Sequence, residues 1–323
     1  MNPLSQFIAP RLPPAAIGLS GDGVSVVQLE RRRDVFAVRR AGYVPLPEGL
    51  LHPSFDEGNI ADATELANTL AELAASTGLA KRRRWSVALP EAATRTSILT
   101  MEGGVGSRGE GEEMLRWKIE RTIGAPLDEL RIARERLPAD ALGRARHLVT
   151  AVRLSVLAEY EAIFAALGWQ SGLIVPRHMG EATWLKRDGD RGTDSLLVSS
   201  HSEGFTAVVM RAGQPLYVRG VICDVEDRAD ELYRFILFYR DRTAPPAVPG
   251  AESAPWPTDT IGQLLVAGTG LDEEQASAIV EETLAAPPRT LHASDVRLAF
   301  PTDEIDFRQI AAPAGLAALA WGA

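Results

Sequence analysis

The chain has 323 residues, 46% of them hydrophobic, and its 34 basic against 43 acidic residues give a formal net charge of −9. That length suits two ordinary domains or one two-lobed fold, and the acidic balance argues against broad attraction to nucleic acid or anionic lipid. The single cysteine, Cys223, excludes an internal disulfide framework and any multi-cysteine metal site.

No stretch reaches the ~18 to 20 consecutive apolar residues that span a bilayer, and Met1 to Pro14 lacks the basic and apolar regions of a secretory signal. A cytoplasmic protein that meets the membrane only through a partner is therefore expected. Residues 1–14, with Phe7 and Ile8 ahead of Pro10, Pro13 and Pro14, read as a flexible leader.

A first lobe then opens with Ala16-Ile17-Gly18-Leu19-Ser20-Gly21-Asp22-Gly23-Val24-Ser25-Val26-Val27, a pair of apolar strands around a small polar turn. Arg31-Arg32-Arg33 reads as solvated loop charge, and Val35 to Ala41 as a third strand. Asp62 to Ser76 reads as a helix with Leu66, Leu70 and Leu73 on one face. Asp62 and Glu65 have capping-box spacing there, and Gly78 supplies the stop. After the basic run Lys81-Arg82-Arg83-Arg84 comes Trp85-Ser86-Val87-Ala88-Leu89-Pro90, a buried-type strand ended by proline. Residues 15–93 thus read β-β-β-α-β.

Residues 94–153 read as an inserted α/β subdomain. Its elements are a strand from Thr94 to Met101, a glycine-rich loop from Gly103 to Gly111, a helix from Glu112 to Ile123, and strands at Arg131 to Leu137 and His147 to Val152. In the helix, Leu115, Ile119 and Ile123 form one apolar line, with Trp117 off it. Residues 154–192 return to the first lobe through a helix carrying Leu157, Tyr160, Phe164 and Leu167, then a strand at Leu173 to Val175.

Residues 193–323 repeat the opening pattern as a second lobe. Leu196-Leu197-Val198-Ser199-Ser200-His201-Ser202-Glu203-Gly204-Phe205-Thr206-Ala207-Val208-Val209 is again strand, polar turn and strand. A strand at Leu216 to Val221 follows, then a helix from Val225 to Tyr239, a proline-rich loop around Pro249, and a strand at Ile261 to Val266. That strand runs into Ala267-Gly268-Thr269-Gly270 and a helix opened by Asp272 and Gln275, a junction where ligands commonly approach backbone. A repeat half a chain apart implies similar lobes whose turns face each other across a cleft.

Other chemistry finds little support. His52, His147, His178 and His292 lack metal-ligand spacing, so no metal site is assigned. Ser20, Ser199 and Ser200 have no patterned His and Asp partners, and His201 with Glu203 reads as polar turn filling rather than an acid–base pair. No catalytic residue is assigned.

This order resembles the actin, heat-shock-70 and sugar-kinase architecture, an α/β two-lobed fold. The position of the insertion is similar to that in the cell-division protein FtsA and the type IV pilus assembly protein PilM family. Val44-Pro45-Leu46-Pro47-Glu48-Gly49, Val87-Ala88-Leu89-Pro90, Arg116-Trp117-Lys118-Ile119-Glu120-Arg121, Pro126-Leu127-Asp128-Glu129 and the closing Ala312-Pro313-Ala314-Gly315-Leu316-Ala317 resemble the PilM family in order and spacing.

The resemblance implies an actin-like scaffold at the cytoplasmic face of the inner membrane, holding the cytoplasmic tail of a PilN-like membrane protein. Pilus motor ATPases and self-association are further implied partners; nucleic acid is not. The family binds ATP with magnesium in the cleft, and the corresponding positions here are Ser20, Gly21, Asp22, Gly23, Ser199, Ser200, Gly268 and Gly270. Its tail groove, between the first lobe and the insertion, is implied at Trp85, Arg95, Glu113 and Trp117.

The sequence departs from the family where an Asp belongs in each hairpin. The first offers Gly18 or Ser20, with Asp22 late, and the second Ser199 and His201. Without those carboxylates magnesium loses its anionic ligands, so nucleotide binding is expected to be weak or lost and hydrolysis absent. Alternative readings are a sugar-kinase-like or ATPase enzyme, and a cytoplasmic component of a type II secretion platform. The latter continues into a transmembrane helix that is not expected in a chain ending at Ala323.

Overall fold

A computed structural model describes residues 12–102, 108–140, 142–185, 193–243, 260–301 and 305–322. Most of the expected leader and the loop around Pro249 lie outside them.

The first lobe begins as an antiparallel meander of β1 (Ala15–Ser20), β2 (Gly23–Arg32) and β3 (Val35–Pro45), with β4 (Arg84–Leu89) parallel to β1. Between β3 and β4 runs α1 (Ala63–Ser76), whose N-cap Asp62 accepts hydrogen bonds from Thr64 N at 2.8 Å and Glu65 N at 3.0 Å. The i, i+4, i+7 line of Leu66, Leu70 and Leu73 buries against Ile17, Val26 and Trp85. The insertion comprises β5 (Arg95–Met101), α2 (Arg108–Ile123), β6 (Leu130–Leu137) and β7 (Ala145–Arg153), in the sheet order β5-β7-β6. Leu115, Ile119 and Ile123 of α2 pack on Leu99, Met101 and Val149.

The helix starts earlier than expected. Gly109 and Gly111 are helical rather than part of a loop, and Glu110 in the first turn sits favourably at the positive end of the helix dipole.

The chain then follows α3 (Leu154–Ala166), β8 (Gln170–Pro176), which pairs with β4, and α4 (Arg177–Leu185). The second lobe repeats the first as β9 (Asp194–His201), β10 (Gly204–Arg211), β11 (Gln214–Ile222), α5 (Arg228–Thr243) and β12 (Ile261–Gly268). Then come α6 (Glu273–Leu284) and the short β13 (Arg289–Thr290), in the sheet order β11-β10-β9-β12-β13. Val225, expected to open the helix, precedes α5 and is exposed.

The boundary expected for the second lobe needs correction. The strand β14 (Leu298–Ala299) pairs with β3, so the first sheet runs β14-β3-β2-β1-β4-β8. The helix α7 (Phe307–Ala318) packs over β1, β2 and β4 of that sheet. Both elements lie within 193–323 but return to the first lobe, because the alanine-rich surface of α7 fits the crowded space between the sheets.

There α7 meets α4 with the backbones in contact. A Cβ on Gly180 would stand 2.3 Å from Ala312 O, and one on Gly315 1.9 Å from Gly180 O. Through these helices Ala16 and Val27 of one sheet share a core with Leu197, Val208 and Leu265 of the other. Among the described residues no helix is long and apolar enough to cross a membrane.

Candidate functional site

The β1–β2 and β9–β10 hairpins face each other between the lobes, with the β12–α6 turn beside them. Ser20 Oγ is consumed inside its own hairpin: it donates to Gly23 O at 2.9 Å and accepts from Gly23 N at 3.2 Å. Asp22 reaches across to the second lobe, where Thr269 Oγ1 donates to its Oδ2 at 2.7 Å. Gly21 lies against the opposite hairpin so closely that a Cβ there would stand 2.4 Å from Ser202 Oγ.

Beneath this contact Arg228 fills the second-lobe loops. Its Nη1 donates to Ser200 Oγ and Thr269 O, both at 2.9 Å, and its Nη2 to His201 O at 2.6 Å and Ser202 O at 3.2 Å. The guanidinium is 1% exposed. Gly270, at φ +83°, admits it, because any side chain there would run into Nη1 and strain the backbone. What remains of the cleft is about 10 Å³, lined by Ser20, Asp22, Tyr43, Arg177, Ser200, Gly268, Thr269 and Gln309. Small-molecule sites ordinarily offer ~300 Å³ or more.

Seven of the positions implied for a nucleotide, Ser20, Gly21, Asp22, Gly23, Ser200, Gly268 and Gly270, therefore converge on one place. Ser199 does not join them: it is fully buried within β9. The converged residues do not fit ATP with magnesium. The carboxylate among them is engaged by Thr269, the Ser200 hydroxyl faces a guanidinium, and the space between them holds little more than a water molecule.

Next to the closed turns lies a polar cluster whose composition gave little warning. Glu91, just after β4, accepts from His178 N at 2.5 Å, from His178 Nδ1 at 2.8 Å, and from Thr206 Oγ1 of the second lobe at 3.0 Å. Burial alone would raise its pKa, but the charge on His178 and the hydrogen bonds from that residue hold it down at about 2. The same carboxylate more than offsets the burial of His178 and raises the histidine's pKa. His201 and Glu203 do converge, with Nδ1 and Oε2 3.0 Å apart, so these turn residues form a pair after all. The one available signal for Glu91 was a carboxylate directly at the C-terminal end of a buried strand; Arg228 gave none, since backbone carbonyls are its main partners.

The residues implied for a tail groove are not brought together. Trp85 is 1% exposed and packs on Trp169 in the first-lobe core, because β4 is an inner strand. Arg95 stacks over Phe55 and pairs with Asp56 at 2.9 Å. Glu113 and Trp117 stand exposed on α2, off its buried line. A groove does separate the first lobe from the insertion, with a cavity of about 300 Å³ between β8 on one wall and β6 and β7 on the other. Arg131, Ala133, Thr150, Leu173 and Glu161 line it, and β8 and β6 are each the edge strand of their sheet.

No family model matches the sequence, and no curated protein matches it. Among solved structures, a chain of the "PilM-PilN type IV pilus biogenesis complex" is similar over 96% of this chain and 99% of its own length, with TM-score 0.74 and 18% identity. The cytoplasmic domain of EpsL, an inner membrane component of the type II secretion system of Vibrio cholerae, is 12% identical over 95% of this chain and 93% of that one, at TM-score 0.45. A Bacteroides thetaiotaomicron protein with an actin-like ATPase fold and unknown function is 12% identical over 98% of each chain, at TM-score 0.44. The chain therefore shares its two-lobed α/β fold with a chain of the PilM–PilN complex.

Proposed function

We propose that this chain is an actin-like scaffold of a type IV pilus inner-membrane assembly complex. It stands at the cytoplasmic face of the membrane, grips the cytoplasmic tail of a PilN-like protein, and does not turn over nucleotide. The observation that carries this reading is the groove between β8 and the insertion, in a fold shared over 96% of the chain with a chain of the PilM–PilN structure. An extended tail laid along β8 meets backbone N–H and C=O groups that have no ladder partner on that side among the described residues, while β6 and β7 supply side-chain selectivity. The closed hairpins support the second half of the proposal, since Arg228 and the Asp22–Thr269 bond fill the turns where the family resemblance implies a triphosphate and its metal.

Fluorescence anisotropy with a labelled tail peptide tests the reading. Ala133→Arg, an exposed change on the β6 wall, is expected to weaken binding by about tenfold or more. Trp117→Ala, outside the groove, should leave it unchanged. Equal binding by wild type and Ala133→Arg would remove the groove from the account.

A further inference from the structure

A second groove follows the outer edge of β11. One cavity of about 590 Å³ opens beneath the insertion, another of about 580 Å³ lies over the start of α5, and they adjoin at Glu203 and Ile222. The first shares only Thr94 with the groove along β8. Among the described strands β11 is the outermost of its sheet; Arg146 Nη2 donates to Pro215 O at 3.1 Å and Leu216 O at 3.0 Å at its start, where β5 packs alongside, and further on Val218–Ile222 line the cavity.

Where the cavities adjoin, an apolar step stands beside Glu203. Ile222 is 84% exposed and nearby Val225 57%. Beyond them the wall is acidic: Glu203, Asp224, Asp227, Asp230 and Glu231 line the second cavity against one cation, Arg234, which is paired with Glu231. No group of three or more acidic, His or Cys side chains among the described residues converges closely enough to hold a metal ion. The acids are therefore spread along a wall rather than gathered around a point. The wall of the first cavity is mixed in charge, with Arg95 and Arg219 beside Asp56, Glu91 and Glu203, and it includes His178, 3% exposed, whose Nδ1 is held by Glu91.

A strand edge, an uncovered apolar step and a spread of carboxylates call for a ligand with a chain-like backbone and positive charge where it meets Asp224, Asp227 and Asp230. That excludes anionic lipid and nucleic acid, whose phosphates the acids would repel. We propose that this groove binds an extended basic segment of a protein partner, its backbone along β11, one large apolar side chain on Ile222 and Val225, and its Lys or Arg side chains among Asp224, Asp227 and Asp230. The segment is distinct from the membrane-protein tail and engages a different face of the same scaffold, which would let the chain join two partners at once.

The test uses the full chain and a fluorescein-labelled probe hexapeptide, Leu-Lys-Arg-Ile-Lys-Arg, with a control in which glutamates replace the basic residues. Saturable binding of the basic probe alone is expected. It should weaken about tenfold in the doubly substituted Asp227→Asn, Asp230→Asn chain and likewise in Ile222→Ser. All three residues are exposed, so the variants should fold as the parent does, and a urea midpoint unchanged from wild type verifies it. Absence of saturable binding, or equal affinity for wild type and both variants, overturns the proposal. Sedimentation showing that the chain self-associates, and that the same substitutions abolish this, would assign the groove to a second copy and overturn it equally.

Discussion

Thr269 in the second lobe donates a 2.7 Å hydrogen bond to Asp22 in the first, 247 residues away in sequence. The carboxylate of the first hairpin is a latch between the lobes. Because the bond is exposed, Asp22→Ala is expected to lower stability by only ~1 kcal/mol. Urea denaturation measures that change. Tail binding by the same variant should stay at the wild-type level, and its loss would mean that the hairpins take part in partner recognition.

Arg228 is the less replaceable element. Arg228→Ala leaves three backbone carbonyls and the Ser200 hydroxyl without their shared donor in a buried place, at a cost of about 3 kcal/mol. Arg228→Lys should recover less than half of that, because an ammonium cannot reproduce a planar fork. Thermal melting of both variants checks the order; a lysine variant as stable as wild type would show that charge alone matters.

The Glu91–His178 pair sets a pH window. The Glu91 pKa is depressed to about 2, so its contribution is present above the unfolded carboxylate value of about 4.3 and is lost as pH falls from there toward 2. The His178 pKa is raised, so its contribution is complete below about 6.5 and is lost as pH rises through the folded-state value. Stability owed to this pair should therefore be greatest between those limits. Glu91→Gln should cost roughly 3 kcal/mol near pH 5.5 and flatten both limbs. Urea midpoints measured across the pH range report it, and parallel profiles for wild type and variant would refute it.

The crossing of α4 and α7 depends on absent side chains. Gly315→Ala places a methyl 1.9 Å from Gly180 O, backbone against backbone, where no rotamer change relieves the clash. A loss of ~3 kcal/mol or failure to fold is expected. Calorimetry decides it, and a variant within 1 kcal/mol of wild type would mean that the helices can separate.

Much of this fold was legible because its lobes repeat a local pattern. Leu66, Leu70 and Leu73 announced α1, Asp62 its cap, and the polar turns at Gly21 and Ser202 the facing hairpins. What escaped was non-local. Helix α7 is apolar around most of its surface and interrupted by Pro313, so it shows no single face, and β14 is too short to carry a period. Trp85 looked like an interface residue because sequence alone does not say that β4 has a neighbour on each side. Arg228 was invisible because a buried arginine bound mainly to backbone leaves no pattern in the residues it contacts.

The most direct test of the central claim is a calorimetric titration of the full chain with the cytoplasmic tail peptide of a PilN-like protein, with and without ATP and magnesium. The account predicts one saturable site whose affinity is the same in both titrations. Binding that is absent, or that emerges only when nucleotide is present, would contradict a scaffold whose cleft is closed by its own side chains.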